Sequence, residues 1–528
     1  MCHIKQKNIL PINTIFYVLL IVLLFVLSEQ SAIGREIKVS SLINADQRIT
    51  QVGWSKITEN LSVNDILIID CDFYIDEEII ISHSVRGDEK HIIYTTGKGK
   101  ILINADKIIV ESLIINGGTA KIRGHGIIAN YVKNLQISNC DISDVEGPGV
   151  HLQTVEKFLI NSNKICNTFG LYGDGILMLN CLEGEVLHNH CSKFQRIGIV
   201  SDWSEERKSK NILIYGNICK DAIQSIRPEI NGGIWVENTL ESKIIRNEIS
   251  NTISKGIVVA PDTENIPSYH LIEKNFVSNC FEGLNVTFAK NQTIDEKRNR
   301  FLDVINIVEI SEPKVFRSSG TIFESVDSVP KRIYFLLPSK NPTGSTIEIL
   351  KSKNKVKSKG LVPVEVGNVF GISGDLSIKD CEGNFAVKLS ENSLNGCISI
   401  SKCKLDYSDL RSDFISNSKQ MVIENCNILL PPNRSMKMQG ENIEFKSCSI
   451  SSEKGDSEIH FGTYGATKLL IANSSISKVK LSSIIRPETK MEFDRVYIKM
   501  DRSELFDSDF QQNKGVVIKN MKKNSFFF

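Results

Sequence analysis

The stretch "MVIENCNILL", Met421 to Leu430, decides the fold because it is one of several near-copies. "LQISNCDI" begins at Leu135, "SISKCKL" at Ser399 and "IEFKSCSI" at Ile443. Each places a cysteine two residues before an apolar residue and just after a polar pair. Aligned on that pattern, one column runs through Cys140, Asn163, Asn189, Asn217, Asn247 and Asn275. After a gap it resumes at Cys381, Cys403, Cys426, Cys448 and Ser474. Within each run the spacing is 22 to 30 residues, the period of a solenoid. Alternation such as "KNLQIS", punctuated by Asn and Gly, marks the unit as short strands and turns.

A second column follows the first, with a glycine opening each strand: "GVHLQT", "GILMLN", "GIVSDW", "GIWVEN", "GIVVAP" and "GLNVTF", from Gly149, Gly175, Gly198, Gly233, Gly256 and Gly283. Side chains alternate along a strand. The inward set is then Val150/Leu152, Ile176/Met178, Ile199/Ser201, Ile234/Val236, Ile257/Val259 and Leu284/Val286. Nearly all of it is apolar, which fixes the register.

Three short strands and three turns in such a period describe one coil of a parallel β-helix. Over roughly residues 101–499 the sequence resembles the right-handed parallel β-helix proteins of the pectate-lyase-like superfamily. The resemblance implies an all-β, right-handed parallel β-helix solenoid with an N-terminal cap and a less regular middle segment. Equivalent residues of successive coils stack ~4.8 Å apart. An inward turn column of that kind accepts Asn, Cys or Ser, so the cysteines read as packing residues, buried and unpaired. An occasional disulfide stays open, since coil spacing and export both permit one.

The chain has 528 residues, with 63 basic and 62 acidic ones and a net charge of +1. That balance argues against a nucleic-acid binder. Lys5 and Lys7 precede thirteen apolar residues, Ile15 to Leu27, and Ala32 and Gly34 offer a cleavage site. Residues 1–34 read as a signal peptide whose removal takes Cys2 and leaves twelve cysteines. The mature protein is expected to be secreted, periplasmic or on the cell surface, free of the membrane once the signal is cleaved. An uncleaved anchor is the alternative. Residues 35–100 read as the N-terminal cap and first strands, with a short helix turning Ile49, Val52 and Ile57 inward. Regular rungs span 101–288 and 369–500. In 289–368 the column disappears, leaving irregular rungs or an inserted β-subdomain. Residues 501–528 read as a C-terminal cap.

The outward positions of the glycine-led strands carry the candidate chemistry: His151 and Gln153, Leu177 and Leu179, Val200 and Asp202, Trp235 and Glu237, Val258 and Ala260, Asn285 and Thr287. Asp202 and Glu237 fall at the same place on adjacent rungs, where two carboxylates repel unless a proton, a cation or a basic group intervenes. Trp203, Trp235, Asn180, Asn238 and His151 surround them as candidate substrate contacts, since an indole stacks well on a sugar ring. Arg207, Arg227, Asp174 and Lys255 lie in nearby turns. Such a pair suits a retaining glycosidase, whose carboxylates sit ~5 Å apart, or a Ca²⁺ site. In the superfamily that the chain resembles, Ca²⁺ neutralises a substrate carboxylate before proton abstraction. On that reading Asp202 and Glu237 hold the metal, and Arg227 or Lys255 is the base.

The paired aspartates of polygalacturonases and the Asp-Pro-His string of mannuronan epimerases are both missing. "RGHG" at Arg123, "LYGDGI" at Leu171 and "HNH" at His188 lack the context that would make them motifs. The expected function is therefore to act on or bind polysaccharide, as a lyase, epimerase or glycoside hydrolase. A non-catalytic adhesin or structural solenoid is the alternative.

Overall fold

The computed structural model describes residues 34–484 and strands at 490–494, 497–498, 516–519 and 522–523. Its breaks fall at 44–46, 120, 203–207, 225–226, 261–265, 288, 327–331, 338–344, 357–361, 367–373, 390–393, 409–414, 434, 453–456 and 463–467. The expected signal segment lies outside these residues. Among the described residues no helix is long and apolar enough to cross a membrane.

One coil shows the plan. Val150–Gln153 lies on a first face, Glu156–Asn161 on a second and Lys164–Phe169 on a third. Each strand pairs in parallel with its counterpart one coil on: Val150 with Ile176, Phe158 with Gly184, Ile165 with Cys191. The chain is a parallel β-helix. On the third face, thirteen strands stack in one sheet and six in another.

The first-face strands that matter below are β1 (Val150–Gln153), β2 (Ile176–Leu179), β3 (Ile197–Asp202), β4 (Gly232–Glu237), β5 (Lys255–Ala260), β6 (Glu282–Val286), β7 (Asn306–Ser311) and β8 (Arg332–Leu337). Their inward residues, from Val150 and Leu152 to Leu284 and Val286, are all 0% exposed. The glycine before each inward pair has a steric cause. A Cβ on Gly198 would lie 2.8 Å from the Cys219 sulfur, and one on Gly175 would lie 2.6 Å from the Cys191 sulfur.

The turn column is a continuous hydrogen-bonded ladder. The residue before each asparagine is left-handed, as at Ser162, His188, Arg246, Lys274 and Arg298. Asn217 is typical of the side chains this aims inward. Its Oδ1 accepts from the Asn189 backbone N–H at 2.8 Å and from Asn189 Nδ2 at 3.0 Å. Its Nδ2 donates to the Val186 carbonyl at 2.8 Å and to Asn247 Oδ1 at 3.0 Å.

The column does not disappear after Asn275. It continues through Asn299, Thr321 and Ser352, each 0% exposed, to Cys381. The sequence pattern hid it because Phe301, Phe323 and Asn354 stand where an aliphatic residue was sought. The strands between 292 and 366 pair in parallel with the rungs before and after them.

The twelve described cysteines form no disulfide among themselves, and of them only Cys397 is exposed and Cys166 half-buried. Cys448 shows how a thiol fits the column. Its Sγ donates to the Lys446 and Ile423 carbonyls at 3.3 and 3.2 Å, and its N–H donates to Ser474 Oγ.

The short helix α1 forms at Gln51–Thr58, with the Thr50 hydroxyl accepting from the Gly53 N–H at 3.1 Å. Val52 does not face inward; it is 65% exposed. Trp54 takes the buried position and packs near Phe73, with Ile57 partly buried behind it. Two residues apart on a helix, Val52 and Trp54 point to nearly opposite sides.

Candidate functional site

The outer side of the first face holds the candidate residues. Parallel register puts His151 beside Leu177, Leu177 beside Val200, Val200 beside Trp235, Trp235 beside Val258 and Val258 beside Asn285. The row continues through Glu309, Phe335 and Glu365. The register that sets Ser201 beside Val236 carries Asp202 and Glu237 to the next step of β3 and β4, both half-buried on the side of Trp235.

These positions point out of the coil, yet several are covered. Leu177, Ile197 and Val200 form a small apolar cluster of their own, with Leu179 and Trp235 packed against it. The connections entering the strands run alongside and are tied together through Asn231. Its Nδ2 donates to the Gln195 and Ile223 carbonyls, and its Oδ1 accepts from the Ile253 N–H. Two exposed aromatic residues, Tyr172 and Phe281, stand on these connections.

At one end Asp174, fully buried, pairs with Arg196 through both guanidinium Nε and Nη2 and accepts the Ile197 N–H. Burial raises the Asp174 carboxyl, and Arg196 opposes that rise. Arg196 lies over the Tyr172 ring, 5.1 Å from its centroid. Burial, aided by the Arg196 charge, pulls His151 down to about 4, so its imidazole is neutral at pH 7. Asp202 Oδ1 accepts from Asn238 Nδ2 at 3.2 Å. Asn180 is buried in the turn after β2. Lys255 Nζ lies 5.6 Å from the Trp235 ring centroid and 3.8 Å from Glu282 Oε2. Arg227 is exposed, at the start of a short 3₁₀ turn. Trp203 lies outside the described residues.

Sequence reasoning passed over Arg196, Glu282, Glu309 and Arg332, which sit on the same face. Asn285 Nδ2 donates to Glu282 Oε2 at 2.9 Å. Arg332 Nε pairs with Glu365 at 3.2 Å and lies over the Phe335 ring. Burial and the Glu282 charge raise Glu309, against the pull of Lys255 and Arg332. Glu309 escaped notice because Ile307 replaces the glycine that marks the earlier strands.

Among the described residues, the polar atoms buried on this face without a hydrogen-bond partner include His151 Nε2, Trp235 Nε1, Asn238 Oδ1 and Asn285 Oδ1. A separate open groove of about 680 Å³ lies on the second face, between Glu183, Asn211, Glu241, Lys243 and Tyr269. It does not include the acidic pair. Among the described residues no cluster of three or more His, Cys, Asp or Glu side chains is placed to hold a metal ion.

A scan against family models and a search of curated proteins found no match. Solved structures with similarity include the periplasmic alginate epimerase AlgG, at 10% identity over 69% of this chain and 82% of that one, with a TM-score of 0.31. The Streptococcus pneumoniae surface adhesin PfbA matches at 9% identity over 85% and 92%, with a TM-score of 0.32. A Yersinia enterocolitica family 28 exopolygalacturonase matches at 10% identity over 94% and 78%, with a TM-score of 0.31. At such identities and TM-scores nothing about activity passes from them to this chain.

Proposed function

We propose that this chain is an exported protein that binds a neutral polysaccharide along the outer first face, from His151 to Glu309. The observation that supports this most is the row of buried, unpartnered polar atoms beside Trp235. Each such group costs roughly 1–3 kcal/mol when left unpaired. A sugar chain laid across the rungs would bring hydroxyls to both the donors and the acceptors. Trp235, Tyr172 and Phe281 supply apolar surface for ring faces, and Asp202 and Glu237 supply acceptors for hydroxyl groups. Charge favours a neutral polymer: Arg196, Lys255 and Arg332 are each already paired with a carboxylate, Asp174, Glu282 and Glu365.

A second reading keeps Ca²⁺. Asn238 Oδ1, buried and unpartnered beside Asp202, would join the Asp202 and Glu237 carboxylates as an oxygen ligand. Ca²⁺ takes six to eight oxygens, so the remainder would come from carbonyls, water and an acidic polymer.

Affinity electrophoresis through gels cast with neutral glucans, mannans, galactans or xylans, or with uronate polymers, tests the pair. Retardation by a neutral polymer without metal supports the first reading. Retardation only by uronates with Ca²⁺ replaces it with the second. No retardation in any gel removes both.

A further inference from the structure

Two carboxylates further along this face are set up differently from Asp202 and Glu237. Glu282 opens β6, and Glu309 stands on β7 in register with Asn285 of β6. Glu282 is contacted from two sides, by Lys255 Nζ at 3.8 Å and by Asn285 Nδ2 at 2.9 Å. Glu309 has neither contact. It is half-buried, and its neighbours along the row are Asn285 on one side and the Phe335 ring of β8 on the other.

Asn285 supplies an independent indication. It is only 3% exposed, its amide nitrogen is committed to Glu282, and its Oδ1 is left without a donor. A protonated carboxyl on Glu309, or a sugar hydroxyl lying between them, would satisfy that oxygen; an ionised Glu309 would not.

We propose that Glu309 and Glu282 are the acid and base of a glycosidic-bond hydrolysis performed on the polymer bound along this face. The proposal rests on the binding reading above and adds a reaction to it. In the step, Glu309 gives its proton to the glycosidic oxygen as the bond from that oxygen to the anomeric carbon breaks. Water adds to the anomeric carbon and gives a proton to Glu282. One water is consumed, one new reducing end and one new hydroxyl form, and the two carboxyls exchange protons with solvent to reset. Asp202 and Glu237, with Trp235 on the same strand as Glu237, hold the chain that is cut.

The environments of the two acids fit opposite roles, as paired catalytic carboxylates require. The groups facing Glu309 are Asn285 and Glu282 on β6, Lys255 on β5, and Arg332 on β8 with its own partner Glu365. Burial and Glu282 raise its proton affinity more than the two cations lower it.

The test is release of reducing ends from whichever neutral polymer retards the wild type, followed over pH. The proposal expects turnover that fades as pH rises and Glu309 loses its proton. It expects Glu309→Gln to lose ~10²-fold or more in turnover at saturating polymer, the usual share of a general acid. Glu282→Gln, which removes the base, should lose turnover at every pH. A wild type that is retarded but releases no reducing ends overturns the proposal and leaves the binding reading standing. So does a Glu309→Gln variant that cleaves like wild type. A wild type retarded by no polymer overturns the binding reading instead, and this one with it.

Discussion

Replacing Asn217 by alanine removes the middle of the asparagine ladder and shows how much of the coil depends on it. Asn217 is fully buried. Its loss leaves the Asn189 backbone N–H without its acceptor at 2.8 Å and the Val186 carbonyl without its amide donor at 2.8 Å. Asn189 Nδ2 keeps its second bond, to the Ile160 carbonyl, and Asn247 Oδ1 still accepts the backbone N–H of position 217. Two groups are therefore orphaned, at about 1–3 kcal/mol each. The expected loss is about 2–6 kcal/mol.

Serine should rescue part of this loss. At the far end of the same column Ser474 Oγ accepts the Cys448 N–H at 3.0 Å and donates to the Ala472 carbonyl at 2.8 Å. Asn217→Ser should accordingly cost about half of what alanine does, since it restores the acceptor for the Asn189 N–H and not the donor to Val186. Denaturant midpoints measure the totals. Hydrogen exchange should show the loss concentrated in the coils either side of Asn217, since a solenoid is coupled mainly to its neighbours. An alanine variant within about 0.5 kcal/mol of wild type, or a serine variant as damaged as alanine, refutes the reasoning.

Four further outcomes are expected. Under native conditions a thiol reagent should label Cys397 at once and the column cysteines Cys381, Cys403, Cys426 and Cys448 only after unfolding; fast native labelling of the column would contradict the packing account. Burial holds His270 at about 4, below the roughly 6.5 of an unfolded histidine. Its contribution is present above pH 6.5 and lost as pH falls towards 4, by roughly 3 kcal/mol at the low end, and His270→Gln should flatten that slope in denaturation curves. Glu296 is fully buried, accepts from Asn299, Ser318 and Thr321, and is raised by burial. A raised acid stabilises the fold below its unfolded value and costs stability as pH rises above it, so Glu296→Gln should gain on wild type at pH 8 relative to pH 4. Glu237→Gln should weaken polymer retardation about tenfold while leaving the melting temperature unchanged or raised, as relief of repulsion with Asp202 requires.

The repeat made most of the architecture legible. Gly149 to Gly283 set the strand register, and the inward residues they predict are buried without exception. What was lost follows from where physical constraint is weak. Thr321 and Ser352 fill the same turn as Asn275 with different chemistry, and Phe301 and Phe323 fill the neighbouring core position, so no residue-type pattern spans them. Asp202 and Glu237 could be placed because strand alternation is strict. The pairing of Arg196 with Asp174 could not, because the connections leading into the first face vary in length and their folding back cannot be counted from the sequence. Glu309 lies on the strand where Ile307 replaces the glycine marker, so that strand had no visible start, and Glu282 stands just before Gly283, outside the alternating positions. Val52 was misassigned for a simpler reason: the helix begins at Gln51, and Trp54 rather than Val52 is the large side chain at the buried phase.

The central claim is that the outer first face, not the groove on the second, holds a polysaccharide. Affinity electrophoresis of Trp235→Ala against Tyr269→Ala separates the two, since Trp235 stands on the first face and Tyr269 lines the second-face groove. Loss of retardation in Trp235→Ala, with Tyr269→Ala running like wild type, is the predicted result. Full retardation of Trp235→Ala, or its loss only in Tyr269→Ala, would contradict the account.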